Sequence, residues 1–207
     1  MSDGLAGRLI AVEGIDGCGK TTQAGILAAR LDALLTFEPG ATALGSELRR
    51  LVLEAKTVPI DDRTEALLMV ADRAQHVAEV VAPALADGRW VVTDRFTAST
   101  LAYQGYGRGI PLTELRALAD WASGGLAADL TVLIDMPVEV AERRFPPEQA
   151  DRIEGSARGF RDRVADGYRR LAADDPTGWV VIDGTGSVDD VAAAVWSAVG
   201  DVLDVAR

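Results

Sequence analysis

The chain of 207 residues has one cysteine, one histidine, two lysines and no asparagine, against 32 acidic residues. The lone thiol, Cys18, excludes an internal disulfide and any multi-cysteine metal site. Without asparagine there is no Asn-Lys-x-Asp base-reading motif, which excludes a GTPase switch. A net charge of −11 and a pI near 4.5 leave no broad cationic surface, so neither nucleic acid nor an anionic membrane is an expected partner. No apolar run approaches the roughly 18 residues of a membrane span, and no secretory h-region follows the start MSDGLAGR. The expected location is therefore cytoplasmic. With 48% apolar and 26% charged residues, the length suits one domain over residues 1–207.

One of the two lysines stands in the most informative stretch, RLIAVEGIDGCGKTT (8–22). Here an apolar run leads into Gly14-Ile15-Asp16-Gly17-Cys18-Gly19-Lys20-Thr21 and then Thr22, the spacing G-x-x-x-x-G-K-[ST] between a strand and a helix. Composition alone would produce about 0.002 such matches in a chain of this length. The glycines let successive N–H groups converge on one concavity, where they and the helix N-terminus can hold a polyphosphate. Lys20 adds a point charge for the β- and γ-phosphates, and the Thr21 hydroxyl is suited to Mg²⁺. Within this loop Cys18 reads as a small filler whose backbone N–H matters more than its sulfur.

Apolar runs recur at 9–13, 34–38, 90–94, 130–135 and 179–183, with helical spacing over 21–34, 44–55, 63–86, 111–123, 138–144, 157–172 and 188–205. Five buried strands separated by helices predict an α/β fold with a five-stranded parallel sheet flanked by helices in three layers. Ligands of such sheets gather beyond the carboxyl ends of the strands, so Glu13, Glu38, Asp94 and Asp135 are expected to ring one crevice with the loop. A second constellation, DRFTASTLAYQG (94–105), follows the third run. Asp94 at the strand tip can order the Mg²⁺ shell, and Arg95 can take a phosphate in bidentate fashion. In a helical continuation Ser99 and Tyr103 share a face.

These stretches, with EPGAT (38–42), LLMVADRAQHV (67–77), GRGI (107–110), LTVLID (130–135) and DRIE (151–154), resemble bacterial thymidylate kinases in order and spacing over roughly residues 8–190. The resemblance implies a P-loop fold with a short lid near 143–155, a homodimer, and Mg²⁺-assisted transfer of the γ-phosphoryl group of ATP to dTMP. Position by position, it implies that Asp16 lies near the acceptor's sugar and that Arg95 holds its phosphate. It puts Arg73 on the thymine, Ser99 and Thr100 at base contacts, and Tyr103 against the deoxyribose, with Gln104, Glu38 and Pro39 in the same wall. Thr185 and Gly186 would form the tip of an adenine-facing turn. Phe37 replaces the family's usual arginine and Met69 its thymine-stacking phenylalanine; a thioether can pack on a ring face, and Phe37 offers an aromatic surface. In the lid stretch RRFPPEQADRIEG (143–155), Arg143, Arg144 and Arg152 are the arginines, with Arg143 expected as the main catalytic one and Arg152 as support.

Other residues take plainer readings. His76 is expected on a helix surface or at a dimer contact, the arginines from 158 to 170 on a solvated helix face, and the four tryptophans in core or interface. Two rival functions remain: a kinase for another nucleoside monophosphate or a small biosynthetic metabolite, and a noncatalytic nucleotide-binding protein. The second leaves Asp16, Arg73, Asp94 and Arg95 unexplained.

Overall fold

A computed structural model describes residues 7–54, 59–144, 152–153 and 159–203. Its centre is β1 (Leu9–Glu13), in which every residue is buried. Continuous burial is what a parallel strand covered on both faces requires, and it explains a run with no polar alternation. The chain then turns through the glycine-rich loop into α1 (Lys20–Leu31). This helix stops at Asp32, whose left-handed backbone (φ 51°) returns an N–H to the Ala28 carbonyl. After β2 (Leu34–Phe37), α2 (Ala43–Arg49) starts at Thr42, whose hydroxyl accepts the Gly45 N–H at 2.9 Å. It widens into a π-helical turn, Arg50–Glu54.

Next, α3 (Asp62–His76) is capped by the Asp61 side chain and runs on through a π segment, Val77–Val81, into α4 (Ala82–Ala86). Strand β3 (Val91–Asp94) is followed by α5 (Thr97–Thr100), which opens into a seven-residue π segment, Leu101–Gly107. Wide turns of this kind concentrate at functional sites. Here the segment packs against the helix Phe160–Asp174, and a Cβ on Gly107 would lie 2.6 Å from the Phe160 ring. The remaining elements are α6 (Leu112–Ser123), β4 (Leu130–Asp135), α7 (Val138–Arg144), α8 (Phe160–Asp174), β5 (Trp179–Asp183) and α9 (Val188–Leu203).

The five strands form one parallel sheet in the order β2-β3-β1-β4-β5. The main core joins β1 and β4 to α1, α8 and α9, with Tyr168 its largest fully buried side chain; a smaller core places Leu9, Val81 and Phe96 together. Each aliphatic side chain so enclosed contributes about 1.5–3 kcal/mol. The expectation of five buried strands holds for three only: β2 and β5 lie at the sheet edges, where Leu35 and Val181 are exposed. Trp121 on α6 is not core either, at 79% exposure.

Candidate active site

At the carboxyl end of β1 the loop closes tightly on its neighbour. Gly14 has φ 147°, and a Cβ there would meet the Ile134 carbonyl at 2.6 Å and the Cys18 sulfur at 2.7 Å. Gly17 and Gly19 also have positive φ, so the backbone turns in a way that L side chains resist. Residues Ile15 and Cys18 are buried, the latter with its thiol pushed up by burial, which fits a packing role for the sulfur. Among the described residues no side chain caps α1, so the N–H groups of Lys20, Thr21 and Thr22 begin a helix ready for an anion. Lys20 is buried, with Nζ 2.7 Å from Asp16 Oδ1.

Thr21 donates its hydroxyl to Asp94 Oδ2 at the tip of β3, while Asp94 Oδ1 is buried without a partner among the described residues. A hydroxyl beside a carboxylate with a spare oxygen is a donor set for a hard cation that keeps waters and phosphate oxygens as its other ligands. Mg²⁺ fits these two residues.

Arg95 follows in a left-handed conformation, φ 73°, strained for a residue with a Cβ. That turn sends its guanidinium back over the loop, to Asp16 Oδ1 at 2.5 Å, Ser99 Oγ at 3.1 Å, the Tyr103 hydroxyl at 3.1 Å and the Tyr168 hydroxyl at 3.2 Å. Burial works against its charge, but Asp16 and the surrounding oxygens outweigh it and hold the group protonated. Tyr103 donates to Asp16 Oδ2 at 2.8 Å and lies under the guanidinium, 4.9 Å from ring centre to Cζ. Asp16 thus ties the loop lysine to the arginine and tyrosine of the second constellation.

Underneath lies Glu13, fully buried. It accepts the N–H groups of Phe96 (2.8 Å) and Ser99 (3.2 Å), the Ser99 hydroxyl (2.7 Å) and the Tyr168 hydroxyl (2.8 Å). Its carboxylate caps α5 from another strand, satisfying N–H groups that the helix leaves open. Burial raises its pKa, and the same burial with the Glu13 charge raises that of Tyr168.

A cleft opens beside this cluster, lined by Asp16, Glu38, Pro39, Met69, Arg73, Arg95, Ser99, Thr100, Tyr103 and Gln104. The sequence reading named these ten, and the fold draws them from four separate stretches. Phe37 is not among the lining residues. It is 44% exposed, because strand alternation points Thr36 inward and Phe37 outward at the sheet edge. Arg49, Leu53, Asp72 and Ile153 complete the wall; no local pattern singles these out. Arg73 is held rigidly, giving hydrogen bonds to Glu38 (2.9 Å), Thr100 (2.8 Å) and the Phe96 carbonyl (2.9 Å). Glu38 also meets His76 Nδ1 at 2.9 Å, and His76 Nε2 lies 2.7 Å from the Thr36 hydroxyl. His76 is therefore not a surface residue: it is fully buried, and its partners, Thr36 on β2 and Glu38 just beyond it, are 40 and 38 positions away in the chain.

On the other side of the loop, Arg144 donates to the carbonyls of Gly184 (3.0 Å) and Thr185 (3.2 Å), and Thr185 folds onto Asp183. Thr185 and Gly186 are exposed there. Arg143 is exposed at the end of α7. Arg152 is engaged by Glu65 and the Val52 carbonyl. The rest of the lid stretch, 145–151 and 154–155, and Arg158 lie outside the described residues. Two further expectations change. Asp135 pairs with Arg169 of α8 and does not line the cleft, and Arg163 bonds the Gly107 carbonyl, so the α8 arginines are only partly a solvated face.

The thymidylate kinase family model matches residues 12–195. The chain belongs to the thymidylate kinase family. It is 47% identical to the thymidylate kinase of Cupriavidus necator over 195 residues, covering 90% of this chain and 95% of that protein. It is 48% identical to that of Synechococcus sp. over 202 residues, covering 95% and 96%. The crystal structure of thymidylate kinase from Ehrlichia chaffeensis superposes with a TM-score of 0.78 at 31% identity, over 94% of this chain and 98% of that one. As in other members of the thymidylate kinase family, the sheet and loop place it among P-loop proteins. Among the described residues, no helix is long and apolar enough to cross a membrane.

Proposed function

We propose that the loop and the adjoining cleft work as the two halves of one P-loop kinase site, transferring the γ-phosphoryl group of ATP to dTMP to give dTDP. The reaction follows from membership of the thymidylate kinase family. The observation that carries the assignment of residues is Asp16, whose carboxylate joins Lys20 of the loop to Arg95 and Tyr103 of the cleft.

An oxygen of the acceptor phosphate attacks the γ-phosphorus, the bond to the β-phosphate bridge breaks, and ADP leaves. Such a step needs alignment and charge neutralisation more than a general base. Loop residues 14–22 hold the donor phosphates with backbone N–H groups. Lys20 neutralises the migrating group, and Arg95 holds the acceptor phosphate in line. Asp16 keeps both cations in register. Thr21 and Asp94 would hold Mg²⁺, which when bound neutralises donor phosphate charge. Arg143 supplies the mobile positive charge, and the turn at Thr185 and Gly186 receives the adenine. On the acceptor side, Arg73 and Thr100 meet the base with Met69 on its face, and Tyr103 packs on the sugar. A cytoplasmic homodimer is part of the same reading; exposed Trp121 on α6 and Leu67 on the adjacent α3 offer apolar contacts for it.

The test is ADP release with Mg-ATP against a panel of nucleoside monophosphates. We expect dTMP to be used most efficiently. Preference for another monophosphate, or no turnover with any, would overturn the assignment.

A further inference from the structure

Glu65 on α3 has no exposure, yet it is surrounded by charge. Its Oε2 accepts Arg152 at 2.6 Å and Arg108 at 3.0 Å, and its Oε1 accepts Gln104 at 3.0 Å and Arg108 Nε at 3.2 Å. Removing one partner from a buried, paired carboxylate leaves charge uncompensated, so these contacts are mutually dependent. Arg152 is fixed at two further points: its Nε donates to the Val52 carbonyl at 2.8 Å and its backbone N–H to the Leu53 carbonyl at 3.1 Å. A guanidinium so occupied is an anchor, with its charge already matched.

What it anchors is the next residue. Ile153 is 3% exposed and lines the acceptor cleft, as do Leu53, Met69 and Gln104. Leu53 is the residue whose carbonyl holds Arg152, and Gln104 shares Glu65 with it. The cleft lining therefore includes three aliphatic side chains, Leu53, Met69 and Ile153, beside the polar Arg73, Ser99 and Thr100. Met69 is flexible and specifies little by shape on its own, so a second aliphatic residue held in place adds definition to the wall.

We infer that Arg152 is a positioning residue: through its ion pair with Glu65 it seats Ile153 as an apolar wall for the acceptor's base, and it does not serve the phosphates. This rests on the reading of the cleft as a nucleoside monophosphate site. Its mark is separation of acceptor affinity from turnover, because a wall bound equally in ground and transition states changes KM alone.

The experiment compares the wild type with Arg152→Ala, Arg152→Lys, Ile153→Ala and Glu65→Gln, varying dTMP at saturating ATP and ATP at saturating dTMP. Arg152→Ala and Ile153→Ala are each expected to raise the KM for dTMP about tenfold, with kcat within about threefold and the KM for ATP unchanged. Arg152→Lys should recover part of the loss, and Arg152→Ala combined with Ile153→Ala should be no worse than the larger single effect. A fall in kcat of about 10²-fold for Arg152→Ala at saturating substrates, with the KM for dTMP unchanged, would overturn the inference and return Arg152 to the phosphates. If Glu65→Gln does not fold, the arginine and isoleucine variants decide the matter alone. If the wild type uses another monophosphate, the substrate assignment fails, and the same split measured on that substrate still judges the wall.

Discussion

Asp72→Asn is expected to stabilise the folded protein at neutral pH, although it removes a carboxylate that holds a loop. Asp72 is 1% exposed; its Oδ1 accepts the Gly40 N–H at 3.0 Å, and its Oδ2 is buried without a partner among the described residues. Burial, and after it the charge of Glu38, push its pKa from 3.8 to about 6, against the Gly40 N–H and the charges of His76 and Arg73. Between these two values the folded protein keeps a proton that the unfolded chain has released. Stability therefore falls as pH rises from 3.8 through about 6, and stays at the lower level above that. At about 1.4 kcal/mol per pH unit, the full cost approaches about 3 kcal/mol. An asparagine keeps the acceptor for Gly40 and resembles the protonated acid, but leaves an amide N–H unpaired, which costs about 1 kcal/mol. The net expectation is a gain of about 1–2 kcal/mol at about pH 7.5, shrinking to nothing or reversing near about pH 4. Urea unfolding followed by tryptophan fluorescence over this range measures it. A difference between variant and wild type that does not change with pH would refute the reasoning.

Lys20→Ala should lower turnover by about 10²-fold or more while the thermal transition stays cooperative, and near-normal turnover in a folded variant would remove Lys20 from the phosphates. Asp94→Asn should raise the magnesium concentration needed for half-maximal rate by about tenfold or more, read from a Mg²⁺ titration at fixed ATP; an unchanged requirement would place the metal elsewhere. Tyr168→Phe removes one of the donors to buried Glu13, so denaturant unfolding should show a loss of about 1–3 kcal/mol, and equal stability would mean that Ser99 and the backbone N–H groups suffice.

The loop, the strands and the cluster from Asp94 to Gln104 were legible because each is a local pattern: a motif spacing, an apolar run, an acid and an arginine at a strand tip. Sheet position was not. WVVID at β5 and LIAVE at β1 look alike in composition, yet one is at an edge and the other at the centre, a difference decided by pairing between distant segments. The same limit explains the partners that escaped notice. Tyr168 reaches Glu13 across 155 positions, and Arg152 reaches Glu65 across 87. His76 gave a helical spacing like any other residue of α3, and only the packing of that helix on β2 seals it in. Asp72 was inconspicuous beside Arg73, since nothing in the sequence reports that one of its oxygens is enclosed.

The strand order β2-β3-β1-β4-β5 also arranges the proposed reaction in space. Glu38 and Pro39 leave the β2 edge toward the acceptor, Asp94 and Arg95 leave β3, the phosphate loop leaves the central β1, and the turn at Thr185 leaves the β5 edge. Edge strands open to solvent more readily than enclosed ones, so amide exchange should be slowest in β1 and faster in β2 and β5. In the proposed reaction, the two ends that admit and release nucleotides would then be the ones expected to open, with the strand beneath the phosphoryl transfer held between them.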